Sequence, residues 1–291
     1  MSKLSEKNTS NSDRLIIKNP WQSLKQFTSA RIGLGRVGNS IPTNELLAFQ
    51  LDHARAIDAV HKALDVKALL EHLSTSQPLY NATPMNPIVL DSKARDRMEY
   101  LQRPDLGRQL SDASWQQLLE QRSEVDAKYD LAIVVADGLS STAIQNHAVP
   151  LLDRLVEKLG TDPKNNWSLA PLTIVSQGRV AIGDDVGECL NAKITMILIG
   201  ERPGLTSPDS MGIYMTWAPK RGAKESSRNC ISNIRPEGLG YDEASNKAFY
   251  LLSESIRRQI SGIKLKDRSS DNEDNDALES STTTSHFLIS P

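Results

Sequence analysis

Apolar residues along the chain fall into two patterns, and together they predict its architecture. Residues 131–136, 172–176 and 194–199 are short apolar runs without polar alternation, as expected of strands buried on both faces of a parallel sheet. A second pattern repeats at helical spacing. After a helix start at Pro42-Thr43 come Leu46, Leu47, Phe49, Leu51, Ala54, Ile57 and Val60, a stripe expected to be core. Leu151, Leu152, Leu155, Val156 and Leu159 form another, capped by Ser140, Ser141 or Thr142 and stopped by Gly160, with Pro150 expected to kink or restart the helix. Ala244, Ala248, Leu251, Leu252 and Ile256 form a third within residues 241–260. Between the last two strands, Asp184 or Asp185 is placed to cap a helix ending near Asn191.

Strand, helix and strand in this order make two right-handed βαβ units, with further strands at residues 213–217 and 230–234. The predicted fold is α/β: a Rossmann-like, mostly parallel sheet flanked by helices, with a small N-terminal helical subdomain and a disordered C-terminal tail. Its segments are a mobile leader (1–18), the helical subdomain (19–77), a linker with connecting helices (78–127), the sheet domain (128–263) and the tail (264–291), which is Ser-, Asp-, Asn- and Thr-rich.

Composition narrows the partners. The chain has 291 residues, 24% of them charged, and a formal net charge of −2, which gives no global attraction to nucleic acid or to an anionic membrane. Cys189 and Cys230 are the two cysteines, too few for a disulfide framework, and fit a reducing cytoplasmic compartment. No signal-peptide core is visible, and no run approaches about 18 apolar residues, so no membrane span is expected.

Candidate chemistry concentrates in the loops expected beyond the strands: residues 137–141, 177–180, 201–204 and 228–232. Gly33-Leu-Gly-Arg-Val-Gly38 matches the dinucleotide fingerprint in letters, but a poor strand precedes it and Pro42 follows where the helix should run, so an irregular loop is expected. His53 and His61 are eight apart, unlike metal-binding pairs on one helix face. No GxSxG, P-loop, HExxH or CxxC is present. Read by themselves, Glu201 is a solvated carboxylate, Arg179 is a surface ion-pair partner, Arg103 and Arg108 are solvated charges with a subunit interface as the sharper alternative, Val180 is core or pocket wall and Cys230 is a small packed thiol.

Five segments in register change those readings. Arg103-Pro-Asp-Leu-Gly-Arg108, Asp137-Gly-Leu-Ser140, Gly178-Arg-Val180, Gly200-Glu-Arg-Pro-Gly-Leu205 and Cys230-Ile-Ser-Asn-Ile234 resemble the small subunit of adenosylcobalamin-dependent ethanolamine ammonia-lyase over residues 19–262. The resemblance implies a hetero-oligomer in which adenosylcobalamin is shared with the large subunit, which carries ethanolamine and the radical chemistry. It assigns cofactor binding here to Val180, Glu201 and Cys230, and no catalytic side chain or metal ligand to this chain. Asp-x-His-x-x-Gly is absent, and the resemblance implies base-on cobalamin. Housing in a bacterial microcompartment is left open by the sequence. The alternative is a nicotinamide-binding Rossmann-like oxidoreductase using the loop at 33–38.

Overall fold

A computed structural model describes residues 16–28, 30–83, 86–125 and 128–269. The leader before residue 16 and the tail beyond 269 lie outside the described residues. Two compact units are present, one drawn from residues up to Asp58 with Pro203–Pro208, the other from Ala59–Arg202 and the chain from Asp209 onward.

The larger unit is built on a six-stranded sheet of β1 (Ile88–Asp91), β2 (Tyr129–Ala136), β3 (Thr173–Ser176), β4 (Ala192–Gly200), β5 (Met211–Trp217) and β6 (Arg228–Ile234), in the order β1-β3-β2-β4-β5-β6. The first four strands of that order are parallel. β5 runs antiparallel to β4, and β6 antiparallel to β5, so the sheet is mixed: three of its five pairings are parallel, and the two antiparallel strands depart from the Rossmann-like expectation. The reason is chain length. Residues 201–210 and 218–227 join these strands, short of the dozen or more that a parallel crossover needs. β1 falls in the stretch expected to be linker; Ile88 and Leu90 are buried while Val89 and Asp91 face solvent, so its apolar signal is only two residues deep.

Helices cover both faces. α6 (Ser141–Gly160) and α8 (Tyr241–Arg258) pack on one face with α2 (Val66–Thr75) and α3 (Gln77–Ala82), through Leu151, Leu152, Leu155, Ala248, Leu251 and Leu252. α5 (Asp112–Val125) and α7 (Ile182–Cys189) cover the other face with Leu118, Ile182, Val186 and Cys189, against Ala132, Val134, Ile197 and Ile199. Ser140 caps α6, its Oγ accepting from the Ala143 N–H at 3.3 Å. α6 continues through Pro150 as one helix, in place of the expected restart. Buried contacts on both sides of the proline, from Ile144 and Ala148 to Leu155, offset a cost of about 3 kcal/mol. Asp184 and Asp185 lie inside the first turn of α7, after Ala181, and are not its cap. They are buried and serve as ion-pair partners: Asp184 with Arg228, Asp185 with Arg221 at 2.5 Å.

The smaller unit holds a 3-10 turn at Pro20–Phe27 and most of α1 (Thr43–His61). Its predicted core stripe is in fact exposed: Leu47 is 58% accessible, Leu51 51% and Phe49 42%. Helical spacing fixes which residues share a face, and says nothing of what covers it. No helix opens within residues 33–38. Arg36 pairs with Ile17 and Val37 with Ser40 as isolated bridges. Gly33 and Gly35 have φ of +62° and +76°, and a Cβ on either would come within 2.8 Å of the backbone of Gln22 or Ile17. The room these glycines make is filled by the chain's own backbone, and the dinucleotide-binding alternative is not supported.

Candidate functional site

Beyond the carboxyl ends of β2 and β3, the loops close on a buried carboxylate. Asp137 Oδ1 accepts from the Gly178 N–H at 3.0 Å, and Oδ2 lies 3.3 Å from Arg97 Nη1. Arg97 stands at the start of α4 (Arg97–Gln102) and also donates to the carbonyls of Gly138 (2.8 Å) and Val60 (2.6 Å). The Tyr100 ring is approached by two guanidinium groups, Arg97 at 4.8 Å and Arg179 at 4.2 Å from its centre, and its hydroxyl donates to the Gly178 carbonyl at 3.2 Å. Arg179 Nη2 donates to the Tyr100 carbonyl at 3.2 Å, so this arginine is fastened to α4.

Sequence reasoning missed Arg97 and Tyr100. The signal available was Asp96-Arg-Met-Glu99, a helix start in which the Asp96 carboxylate accepts from the Glu99 N–H at 2.9 Å and the Glu99 carboxylate accepts from the N–H of Arg95, the residue before the cap, at 2.8 Å.

Burial pushes the Asp137 carboxyl up to about 6, opposed by Arg97 and by the N–H groups of Gly178, Gln177 and Gly138. A raised folded pKa contributes stability that is fully present below the unfolded value and is lost as pH rises through about 6. Asp137→Asn keeps an acceptor for Gly178 and removes the titration. Its unfolding free energy is expected to vary less between pH 4 and 7 than that of the natural chain, by at most ~3 kcal/mol. Urea titrations at the two pH values check this, and identical pH dependence would refute it.

Two of the three residues expected to bind cofactor fall in one cluster on β4, β5 and β6. Glu201 directly follows β4, where its N–H donates to the Ser210 carbonyl at 2.8 Å. Its Oε2 accepts from Ser210 Oγ at 2.5 Å and from the Asn233 N–H at 3.1 Å. Oε1 lies over Gly212, whose added Cβ would approach it to 2.8 Å. Asn233 has φ of +61° and belongs to the irregular register between β5 and β6. That kink turns its N–H toward Glu201.

Cys230 pairs with Tyr214 across β5 and β6, and the Tyr214 hydroxyl hydrogen-bonds its thiol. The residue is exposed, which corrects the packed-thiol expectation. Desolvation pushes the thiol up, the Tyr214 hydroxyl opposes this and the Glu201 carboxylate adds to it, so the group is held as a neutral thiol and is no activated nucleophile. Val180 follows β3, and β2 separates that strand from β4. Val180 and Tyr214 pack against the same apolar cluster, so they share the sheet face that α5 and α7 cover.

The base of the cluster is anchored by charge. Arg228 opens β6 two residues before Cys230 and pairs with Asp184, both side chains 2% exposed. Arg103 pairs with Asp105 at 2.7 Å and Arg108 with Glu225 at 3.5 Å, all four well exposed. Among the described residues no group of three His, Cys, Asp or Glu side chains could hold a metal ion, and no helix is long and apolar enough to cross a membrane.

Comparison with known proteins gives the family. Residues 18–266 match the family described as ethanolamine ammonia-lyase light chain. The ethanolamine ammonia-lyase small subunit of Azotobacter vinelandii is 52% identical over 250 residues, covering 86% of this chain and 89% of that one. That of Pseudomonas fluorescens is 49% identical over 277 residues, covering 94% and 96%, and that of Ralstonia nicotianae is 50% identical over 252, covering 87% and 90%. With matches of this extent taking in the β3, β4 and β6 loops described above, the chain belongs to the ethanolamine ammonia-lyase small-subunit family, a component of a lyase complex.

Proposed function

We propose that this chain works in the cytoplasm as one half of a cofactor seat, holding base-on adenosylcobalamin against a large catalytic subunit with Val180, Glu201 and Cys230. The observation that carries this reading is the pinned Glu201 carboxylate. Ser210 and Asn233 fix Oε2, while Oε1 takes the room left by the side chain that Gly212 lacks, so the carboxylate is held at one place at the end of β4. A corrin is broad and apolar with a fringe of amides, and it suits a few placed polar groups on an apolar surface. Glu201 fits as acceptor for an amide N–H, Cys230 as a small exposed neighbour and Val180 as apolar contact. When bound, the cofactor supplies cobalt–carbon homolysis and the radical that converts ethanolamine to acetaldehyde and ammonia. The chain's own share is orientation, and small displacements of a seated reactant are costly in rate.

The isolated chain is expected to show no ammonia-lyase activity and to support it only with a large subunit and adenosylcobalamin. Glu201→Lys removes a charge-assisted acceptor, worth about 1.5–3 kcal/mol, and should raise the apparent cofactor Kd of the reconstituted complex by about 10- to 100-fold. Titration of the corrin absorption spectrum measures this. An unchanged Kd would take Glu201 out of the seat, and full activity of the chain alone would overturn the reading.

A further inference from the structure

Where α8 ends, five cations gather around one hollow. Arg257, Arg258, Lys264, Lys266 and Arg268 line a cavity of about 660 Å³ together with Tyr250 and Glu254. The Ser261 hydroxyl accepts from the Trp217 N–H at 2.8 Å, and Trp217 pairs with Ile194 near the start of β4, so this turn lies at the other end of the sheet from Glu201. Two of the charges have a local reason. Arg257 and Arg258 stand in the last turn of α8, where cations suit the carbonyl end of a helix, and Arg257 holds Glu254 through two hydrogen bonds of 2.8 and 2.6 Å. Lys264, Lys266 and Arg268 follow the helix and gain nothing from its dipole. The carboxylate between them, Asp267, is already engaged: Oδ2 pairs with Lys247 at 3.5 Å, and Oδ1 accepts from the N–H and hydroxyl of Ser269 at 2.9 and 2.7 Å. Among the described residues no carboxylate lies within ion-pair distance of Arg258, Lys264, Lys266 or Arg268.

The backbone fixes where these charges stand. Asn229 Oδ1 accepts from the Gly262 N–H at 2.7 Å, and its Nδ2 donates to the Leu265 carbonyl at 2.8 Å. Leu265 is buried with an extended backbone, so Lys264 and Lys266 on either side of it emerge to solvent. Like charges fixed in this way repel, and an anion that bridges them relieves the repulsion without first having to order the site. We propose that the hollow is a binding site for a small polyphosphate anion, bridged by Arg258, Lys264, Lys266 and Arg268. Size and charge select the class. The cavity falls within the range of small-ligand pockets, about 300–1,000 Å³, whereas a nucleic-acid duplex calls for cations spread along a backbone track. A lone phosphate meets one or two of the cations, while linked phosphates reach several at once, and each arginine can take two phosphate oxygens. The recognised group is the phosphate chain, whether free or carried by a nucleotide. The site is independent of the cofactor seat.

Calorimetry of the full chain at low salt tests this, with inorganic tripolyphosphate as the probe. One ligand per chain is expected, bound at least about 10-fold more tightly than orthophosphate and weakened by added salt. Lys264→Glu with Lys266→Glu should weaken binding by at least about 10-fold. Lys62→Glu with Lys67→Glu makes the same change in net charge beside the start of α6, where the Lys62 carbonyl accepts from Ser141 Oγ at 2.7 Å, and should leave the affinity within about twofold. Equal losses in the two double variants would reduce the effect to net charge and overturn the proposal. So would the absence of binding, or equal affinity for tripolyphosphate and orthophosphate. Magnesium-free ATP separates the two sources: an affinity equal to that of tripolyphosphate assigns the site to the phosphate chain alone, and a tighter one that falls back in Tyr250→Leu assigns it to a nucleotide. A DNA duplex bound more tightly than tripolyphosphate would refute the small-ligand reading.

Discussion

Asp184→Ala is expected to destabilise the larger unit by about 3 kcal/mol, the cost of leaving the Arg228 guanidinium without its buried carboxylate and with only the exposed Glu225 to pair with at 2.7 Å. Both side chains are 2% exposed, so water cannot take the partner's place. Desolvation already pushes the Asp184 carboxyl up, with Arg228 and the Thr216 hydroxyl opposing, which marks the pair as expensive to bury and worse to break. Urea denaturation of the variant measures the loss. Asp184→Leu combined with Arg228→Met removes both charges and should recover most of it. If the single variant unfolds at the natural midpoint, the pair is not the anchor of β6. The local effect should exceed the global one, since Arg228 opens the strand that carries Cys230 and Asn233.

Gly200→Ala is expected to cost about 3 kcal/mol, the upper end for forcing a methyl group into a packed site. An ideal Cβ at Gly200 would lie 2.0 Å from the Ser140 carbonyl oxygen and 2.6 Å from that of Asp137, both backbone atoms with nowhere to rotate. Either the cap of α6 or the end of β4 must retreat. Glu201 is the next residue, so the same substitution should weaken cofactor binding in the reconstituted complex along with stability. Gly160→Ala is the control. Its Cβ meets nothing within 4 Å, and the change should be neutral or stabilising by up to about 1 kcal/mol. A Gly200→Ala chain as stable as the Gly160→Ala one would show that the strand ends are not close-packed.

What the sequence made legible follows from where burial is complete. β2, β3 and β4 were readable because unbroken apolar runs have few other uses, and α6 and α8 because their stripes meet a sheet. β1 was not, since its core face offers only Ile88 and Leu90. The reversal at β5 was implicit in the short connection after β4, a constraint of length and not of residue type. α1 shows the opposite failure: its spacing is correct for a helix, yet the face stays open.

The site divides in the same way. Glu201 and Cys230 came from segment resemblance, and no rule of spacing would have chosen them. The groups that hold Glu201, Ser210 and Asn233, come from the next strand's approach and from a bulge, which only pairing across strands brings within reach. Asp184 and Asp185 looked like caps because acidic residues suit a helix start, whereas their partners Arg228 and Arg221 are far along the chain.

The kinked register of β6 has a second effect, at the outer margin of the sheet. A straight terminal strand offers a row of unused amides on which a stranger's strand could be templated. Here Asn233 turns out of line, and the Asn229 side chain ties the strand to the Gly262 and Leu265 backbone instead. At the opposite margin, the Asp91 amide and carbonyl are taken by Ser114 and Ser111. At both borders the chain's own groups thereby break up the row of amides on which a foreign strand could be templated.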